Sequence, residues 1–261
     1  MPKIITLTTD FGLKDPYAAE MKAAILSISP NATIVDVTHD VAQFNIRMGA
    51  YVLASAAPYF PKGTIHVAVV DPNVGTRRRP LLVQTLHSFF VGPDNGLLIL
   101  AAEQQGIKCI REITNARLML SQVSSTFHGR DVFAPAAAHL ANDEAPAEFG
   151  PEIHDAAKPS FAKVTLREGI LVGEVLHVDN FGNIITNISS KEVARIRGAG
   201  VVNVEMHNQK LKLKFYQAYG EAKPQEPLAL IGSHNYLEIA LNQGNAAEKF
   251  KVRLGDKIQL G

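Results

Sequence analysis

Acidic side chains accompany three apolar segments in the first third of the sequence. Ile4–Thr9 leads into Asp10, Thr33–Val37 contains Asp36 and leads to His39-Asp40, and the strongly apolar Thr64–Val70 leads into Asp71. Ligands of open α/β sheets bind beyond the carboxyl ends of the strands, so we expect these acids to line one crevice. Any one of them could instead cap the turn or helix that follows it.

The segment after Asp71 adds a guanidinium to this carboxylate. Arg78 stands seven residues further on, across a loop that contains glycine, so the two side chains can fold back into an ion pair. Arginine is permanently charged and binds carboxylates in a fixed fork, which would keep Asp71 ionised and oriented. The alternatives are a surface ion pair of little consequence and, for the basic run Arg77–Arg79, a solvated loop.

An aromatic ring and an imidazole stand side by side in the segment Thr126–Asp131. His128 could orient or polarise water, because the ordinary pKa of histidine lies near neutrality. Phe127 offers an aromatic face for a purine. The alternatives are a structural histidine near a helix start and a phenylalanine of the hydrophobic core.

The second half of the chain contains polar loops that could bind a ligand. Asp179 could bind an ammonium group and Asn183 could form a hydrogen bond beside it, although this segment taken alone indicates a hairpin turn. Backbone groups of Ser233–Asn235 and Gly244–Ala247 could bind a heterocycle edge or a carboxylate.

Alternating strand and helix signals must position the residues of the first half. This alternation predicts a layered α/β domain with a largely parallel sheet over residues 1–155. The strand signals are Ile4–Leu7, Thr33–Val37 and Thr64–Val70, and the helix signals include Tyr17–Ile25, Phe44–Val52, Leu97–Gln105 and Asp131–Asn142.

The pattern changes after about residue 155, where short β segments alternate with turn residues. We expect a smaller, mainly antiparallel, β-barrel-like domain over residues 164–261. Its strand signals are Ile170–Val178, Val201–Met206, Leu211–Phe215, Leu237–Leu241 and Lys251–Leu260.

Composition limits the class of protein. The chain has 261 residues, 46% hydrophobic and 20% charged, which is typical of a folded globular protein. Its net charge of +1 indicates no bulk nucleic-acid or membrane partner, and its single cysteine excludes a disulfide within the chain. With no signal-peptide pattern and no apolar run of about 20 residues, we expect a cytoplasmic protein.

Taken together, the motifs resemble the S-adenosyl-L-methionine (SAM) hydroxide adenosyltransferases, which are SAM hydrolases related to fluorinase and chlorinase. The resemblance spans essentially the whole chain and implies a homotrimer with active sites between the N-domain of one subunit and the C-domain of its neighbour. The segments that carry it are Thr9–Gly12, Asp71 with Arg78, Phe127–Asp131, Asp179–Asn187, Gly232-Ser233 and Tyr236–Ala247.

The resemblance also implies roles for individual residues. Asp71, Arg78 and His128 are expected to position the nucleophilic water, Asp10 to hold the ribose hydroxyls, and Phe127 to pack beside the adenosyl group. The other matched positions are expected around the adenine and the methionine end, with backbone contacts at the last two: Asp179, Phe181, Asn183, Ser233, Gly244 and Ala246.

The implied reaction is attack of water on the ribose C5′, which releases adenosine and methionine. The halogenating relatives lack the Asp71 and His128 pair, so their presence here favours water over halide. Arg77 and His234 depart from the family pattern, and His234 could alter how the methionine carboxylate is held. We expect no cofactor and no metal, because the histidines show no zinc spacing.

Other classes of function remain as alternatives to this reaction. One is a non-catalytic module that binds SAM or adenosine, and a weaker one is a halogenase. Another is a metal-dependent hydrolase that ligates Mg²⁺ or Mn²⁺ through an acid cluster. The ligands of that cluster would be Asp10, Asp36, His39, Asp40 and Asp71.

Overall fold

Two units make up the chain in the computed structural model, Met1–Pro159 and Ser160–Gly261. Each unit has a hydrophobic core of its own. Across the described residues, no helix is both long enough and apolar enough to cross a membrane. The structure describes residues 3–159, 161, 163–196, 200–207 and 209–261.

Six strands form the sheet of the N-terminal unit: β1 (Ile4–Thr9), β2 (Thr33–Thr38), β3 (Ile65–Val69), β4 (Pro80–Thr85), β5 (Phe89–Pro93) and β6 (Ile107–Glu112). Their order is β2-β1-β3-β5-β4-β6. β1 pairs in parallel with β2 and β3, and β3 with β5, whereas β4 is antiparallel to both of its neighbours. The predicted α/β class with a largely parallel sheet is confirmed.

Helices cover this sheet, and β3 is buried along its whole length, as parallel strands between helical layers usually are. The helices are α1 (Tyr17–Ile28), α2 (Ile46–Ala56), α3 (Ile99–Gln104) and α4 (Ala134–Ala141), with a π-helical turn at Gly129–Phe133 and 3₁₀ turns at Ala57–Tyr59, Ala116–Leu118 and Pro146–Phe149.

The start of the second helix differs from the prediction. Phe44 lies outside α2 because its φ of 61° is incompatible with a right-handed helix. The helix begins at Ile46, and the side chain of Asn45 caps it by accepting a hydrogen bond from the backbone N–H of Met48 at 3.0 Å. A helical pattern of apolar residues therefore continued past the true N-terminus of the helix.

Eight strands form the sheet of the C-terminal unit: β7 (Thr165–Arg167), β8 (Ile170–Val178), β9 (Ile184–Ser189), β10 (Val201–Met206), β11 (Gln209–Phe215), β12 (Pro227–Ile231), β13 (Tyr236–Leu241) and β14 (Lys257–Leu260). Their order is β14-β10-β11-β12-β13-β9-β8-β7, and an additional β14–β8 pairing closes seven of them into a barrel. The predicted β-barrel is confirmed, and its pairings are antiparallel except for β11 with β12.

Short helices interrupt the barrel at α5 (Ser190–Ile196) and α6 (Ala246–Phe250), and a 3₁₀ turn lies at Tyr219–Glu221. The last strand is shorter than predicted, covering Lys257–Leu260 instead of Lys251–Leu260. Lys251 ends α6 in a left-handed conformation, and the backbone N–H of Arg253 donates to Asp256 at 2.6 Å. A helix end and a turn therefore occupy the first half of that predicted strand.

Candidate active site

A cleft of about 560 Å³ lies in the N-terminal unit, where β1 and β3 end. Four predicted site residues line it: Asp10, Asp71, Phe127 and His128. Asp10 directly follows β1 and Asp71 follows β3, so the parallel pairing of these strands places the two acids at one edge of the sheet. The expected crevice is confirmed for Asp10 and Asp71. Asp36 and Asp40 are not among the described residues that line it, because Asp36 lies within β2 and pairs with Lys22, so that part of the prediction is wrong.

Arg78 joins two of the predicted catalytic residues. Its Nε and Nη2 donate to Oδ2 of Asp71 over 2.8 and 2.5 Å, and Nη2 lies 2.9 Å from Nδ1 of His128. Only 6% of the Arg78 side chain and 4% of the Asp71 side chain are exposed, so this is a buried ion pair. The alternative of a surface ion pair is therefore wrong. The alternative of a solvated loop is wrong for Arg78, the middle residue of the basic run Arg77–Arg79.

The contact with Arg78 decides the protonation of His128. A guanidinium carries only donors, so Nδ1 of His128 must accept, and the neutral ring then holds its proton on Nε2. Burial and, next, the charge of Arg78 lower the pKa of His128. Near pH 7 the imidazole is therefore neutral and presents an N–H donor at Nε2.

One oxygen of Asp71 has no partner in the described structure. Both bonds from Arg78 go to Oδ2, and Oδ1 is buried without a hydrogen bond from any described residue. Leaving a buried acceptor unsatisfied costs about 1–3 kcal/mol and more for a charged group, so such an atom marks a place for a donor from outside the chain. A water molecule is a donor of suitable size.

Two loops must meet to form this arrangement, and Gly75 lets them do so. Its φ is +74°, and a Cβ at this position would lie 2.1 Å from the carbonyl oxygen of Ser125. The loop that carries Arg78 therefore packs directly on the loop before His128, and only glycine fits there. On the other side, Nδ2 of Asn95 donates to the carbonyl of Val70 at 2.9 Å and braces the backbone beside Asp71.

Asp10 gives the cleft a polar wall, and Phe127 gives it an apolar one. Oδ2 of Asp10 accepts a hydrogen bond from the backbone N–H of Phe44 at 2.8 Å. Burial, followed by the charge of Asp71, raises the pKa of Asp10 against the lowering effect of that bond. Phe127 is 8% exposed, belongs to the core cluster and lines the cleft as well. The core alternative is confirmed, and the contact with a purine stays a prediction.

Aromatic and charged neighbours that the sequence pattern did not indicate complete the cleft. The rings of Phe11 and Tyr17 meet Phe127 edge-on at centroid distances of 5.6 and 5.2 Å. The guanidinium of Arg130 lies 5.0 Å from the centre of the Phe127 ring. Tyr17 begins the helix signal Tyr17–Ile25, and Arg130 lies within the motif Phe127–Asp131. Neither pattern by itself predicted that the side chain would line the cleft. The missed lining residues include Phe11, Asp15, Tyr17, Glu20 and Arg130.

A second cavity, of about 680 Å³, lies in the C-terminal unit. Asp179 shapes it: Oδ1 accepts from the backbone N–H groups of Phe181 and Asn183, both at 2.9 Å, and Oδ2 accepts from the Asn183 side chain at 2.9 Å. The Phe181 ring is 78% exposed at this turn. The predicted site residues among its lining are Asp179, Phe181, Asn183 and Gly244.

Two turns of the C-terminal unit, both with residues that line this cavity, are locked together. Gly182 has a φ of +80°, and a Cβ there would lie 2.1 Å from Oδ1 of Asn245. The backbone N–H of Ala247 donates to the carbonyl of Gly182 at 2.9 Å. The turn after β8 is thus fixed against the start of α6.

Two predicted residues are not among the described residues that line this cavity. Ser233 is exposed in the turn between β12 and β13, and Ala246 is fully buried as the first residue of α6. Conversely, Tyr219 lines the cavity although the sequence pattern did not single it out. An aromatic residue inside a turn-rich segment was the available signal.

The acid cluster of the metal-hydrolase alternative does not assemble. Asp36 pairs with Lys22 over 2.6 Å, and Asp71 is neutralised by Arg78. Across the described residues, no three His, Cys, Asp or Glu side chains are arranged to hold a metal ion.

Comparison with known proteins decides the family. The family model of the SAM hydroxide adenosyltransferase N-terminal domain matches residues 5–150, and that of the C-terminal domain matches residues 173–259. This chain belongs to the SAM hydroxide adenosyltransferase family. The resemblance drawn from the motifs is confirmed.

Individual relatives agree with the family. An (R)-S-adenosyl-L-methionine hydrolase of Methanocaldococcus jannaschii is 38% identical over 98% of this chain and 95% of its own. A fluorinase of an Actinoplanes species is 26% identical over 97% of this chain and 95% of its own. The crystal structure of an uncharacterized conserved protein from Thermotoga maritima has a TM-score of 0.91 and 38% identity, covering 98% of this chain and 99% of that one.

Proposed function

We propose that this chain is a SAM hydrolase, which transfers the adenosyl group of SAM to water and releases adenosine and L-methionine. Membership of the hydroxide adenosyltransferase family and the full-length similarity to named SAM hydrolases support this activity. The observation that carries the mechanism is the unpartnered Oδ1 of Asp71, beside an Arg78 that fixes the rest of the carboxylate.

SAM already contains a good leaving group. When the C5′–S bond breaks, its electron pair returns to sulfur, and the sulfonium becomes the neutral thioether of methionine. The protein must therefore supply an aligned water, and alignment alone can lower a barrier by about 7–11 kcal/mol in favourable cases. Free water has a pKa of about 15.7, so the proton must leave as the C–O bond forms.

Asp71 is the residue to which we assign this proton. Its Oδ1 is an available acceptor, whereas Nδ1 of His128 is already occupied by the donor Nη2 of Arg78. His128 then acts through its Nε2–H, which can donate to the attacking oxygen and orient it. Arg78 holds both groups in place through its bonds to Asp71 and its contact with His128.

The charge of the N-terminal cleft suits a cationic substrate. Asp10, Asp15, Glu20 and Asp71 line it together with Arg130. Glu20 pairs with Arg130 and Asp71 with Arg78, so Asp10 and Asp15 are the acids that add net negative charge for the positive sulfonium. We assign Asp10 to the ribose hydroxyls and Phe127 to the adenosyl face. The C-terminal cavity would hold the adenine and methionine end through Asp179, Phe181, Asn183 and Gly244, with Ser233 and Ala246 assigned by resemblance alone.

The deciding experiment is hydrolysis of SAM in water labelled with oxygen-18 by protein treated with EDTA. We expect the label in the 5′-hydroxyl of adenosine and none in methionine, since water attacks C5′ and no metal takes part. Intact SAM despite calorimetric binding would replace this proposal with the binding-module function. Activity that EDTA removes and Mg²⁺ restores would replace it with the metal-dependent one.

We further propose a cytoplasmic homotrimer whose active sites are shared between subunits, on the strength of the family resemblance. Co-expressing an Asp71→Asn chain with an Asp179→Ala chain tests the sharing, because each mixed site can then draw one intact half from either chain. Recovered activity, with a trimeric mass in sedimentation, is the expected result. A monomeric mass, or no recovery, contradicts the proposal, and cell fractionation tests the location.

A further inference from the structure

A buried carboxyl group on the barrel contacts two turns of the C-terminal unit. Glu238 lies on β13 and is 6% exposed. Its Oε2 accepts a hydrogen bond from the hydroxyl of Tyr219 at 2.5 Å. Burial and the nearby charge of Asp179 raise the pKa of Glu238, against the lowering effect of that bond.

The same carboxyl group rests against the turn between β12 and β13. A Cβ built on Gly232 would lie 1.7 Å from Oε1 of Glu238, so this carboxyl occupies the space that any other residue at position 232 would need. The turn is closed by two backbone bonds, Gly232 N–H to Tyr236 at 2.9 Å and Asn235 N–H to Gly232 at 3.0 Å. Glu238 therefore packs on the turn that carries Ser233.

We propose that Glu238 is a positioning residue for the substrate cavity of the C-terminal unit, which fixes the Tyr219 ring through its hydroxyl and supports the Gly232-Ser233 turn. Tyr219 lines that cavity and Glu238 does not appear among its described lining, so Glu238 acts through another side chain. The inference rests on the proposed function only in taking this cavity as part of the SAM site.

The anchoring matters because the Tyr219 side chain is partly exposed where it lines the cavity. The residue is 40% exposed and stands on a short 3₁₀ turn, Tyr219–Glu221. A ligand binds more weakly when it must order a mobile side chain than when it meets one that is already ordered. The Glu238 bond orders the ring before the ligand arrives, so its loss should weaken binding more than it slows the chemical step.

Two single variants and their combination test this role in the full-length protein. Calorimetry measures the Kd for adenosine and for S-adenosyl-L-homocysteine, which lacks the sulfonium, and steady-state assays measure KM and kcat for SAM. We expect Glu238→Ala and Tyr219→Phe each to raise Kd and KM about tenfold and to change kcat less than about threefold. The double variant should be no worse than Glu238→Ala alone, because Glu238→Ala already removes the bond that Tyr219→Phe removes.

A conservative variant and a matched pair serve as controls. Glu238→Gln keeps an acceptor oxygen for Tyr219 and should stay within about threefold of the original Kd. Tyr216→Phe removes a similar Tyr–Glu bond, the 3.2 Å contact to Glu226, at a residue that is not among the described lining of the cavity. It should leave Kd unchanged.

Several results would overturn the inference. If the losses of affinity add up in the double variant, the effect belongs to general stability. The same holds if Tyr216→Phe raises Kd as much as Tyr219→Phe does. A fall in kcat at unchanged Kd would also contradict it, as would a full-length protein that binds neither ligand. Binding of adenosine without any hydrolysis of SAM would instead refute the proposed function and leave this inference testable by the same Kd values.

Discussion

The cleft of the N-terminal unit and the cavity of the C-terminal unit are built in different ways. In the cleft, Asp10 and Asp71 follow parallel strands that pair with each other, and a buried guanidinium fixes Asp71 beside His128. In the cavity, the polar groups stand on turns, where Asp179 is engaged by the backbone of its own turn. The cleft leaves one buried carboxylate oxygen without a described partner, whereas both oxygens of Asp179 already accept hydrogen bonds.

On the proposed function, the cleft carries the chemistry and the cavity carries recognition of the substrate. A reacting water needs an acceptor held to a fraction of an ångström, and strand ends joined by a buried ion pair provide that rigidity. A heterocycle and an amino acid need shape and backbone hydrogen bonds, which turns provide. We therefore expect changes in the cleft to act on kcat and changes in the cavity to act on KM.

The largest effect should come from Asp71→Asn. The amide cannot take a proton from water, so kcat should fall by about 10³-fold, within the usual range for general acid–base groups, while the Kd for SAM changes less than about threefold. Stopped assays and calorimetry measure the two quantities. Asp36→Asn is the matched control, since Asp36 also pairs with a cation but is not among the described residues that line the cleft. Equal losses of turnover and affinity in Asp71→Asn would contradict a catalytic role.

A smaller loss is expected from His128→Ala, about 10–100-fold in kcat. In the unaltered protein, protonating Nδ1 would set a positive ring against Arg78, and burial already lowers the pKa of His128. The kcat of the unaltered protein should therefore stay constant from pH 8 to about 6.5 and fall only at lower pH. The kcat–pH profile of His128→Ala should lack that acid limb. If the limb persists, it belongs to another group, such as Asp10.

In the cavity, Gly182→Ala should raise KM about tenfold and leave kcat within about threefold. The new Cβ would collide with the Asn245 amide and separate the two turns that Gly182 joins. Gly169→Ala is the matched control, because Gly169 has the same φ of +80° with nothing within 4 Å of its Cβ position. Both variants should lose about 1–2 kcal/mol of stability from left-handed strain, and only the first should change KM. A similar KM in both would show that the contact with Asn245 does not matter.

The smallest effect on activity is expected at His66 in the core of the N-terminal unit, where the expected effect is on stability. His66 is fully buried, bonded to Thr6 at 2.8 Å, and burial lowers its pKa to about 4. Between pH 6.5 and 4 the unfolded chain binds this proton and the folded chain does not, so stability falls as the pH falls through that window.

The loss from His66 should be about 2 kcal/mol between pH 7 and pH 5. Urea unfolding at the two pH values measures it. His66→Gln should show less of this pH dependence, whereas His87→Gln, at an exposed site, should retain all of it. Identical pH dependence in His66→Gln and the unaltered protein would exclude His66 as the source.

The local pattern of residues was enough to locate the acids and to divide the chain into two kinds of structure. Apolar runs such as Thr64–Val70 must be buried, so their ends place Asp10 and Asp71 at the carboxyl edge of a sheet. Strand signals every few residues, separated by turns, predict the barrel. The strands β4, β5 and β6 were not predicted. The apolar runs of β4 and β5 are only three residues long, β5 continues into the turn-like residues Gly92 and Pro93, and β6 is a mixed polar and apolar segment.

Only the tertiary structure decided which of these groups contact each other. Closure of the barrel depends on pairing Leu171 with Leu260, a contact between distant parts of the chain that no local pattern encodes. The free oxygen of Asp71, the proton on Nε2 of His128 and the bond between Tyr219 and Glu238 depend in the same way on which loops meet. Sequence patterns specify which residues are buried and which form turns. The direction of a hydrogen bond, in contrast, is set by atoms that come together only when the chain folds.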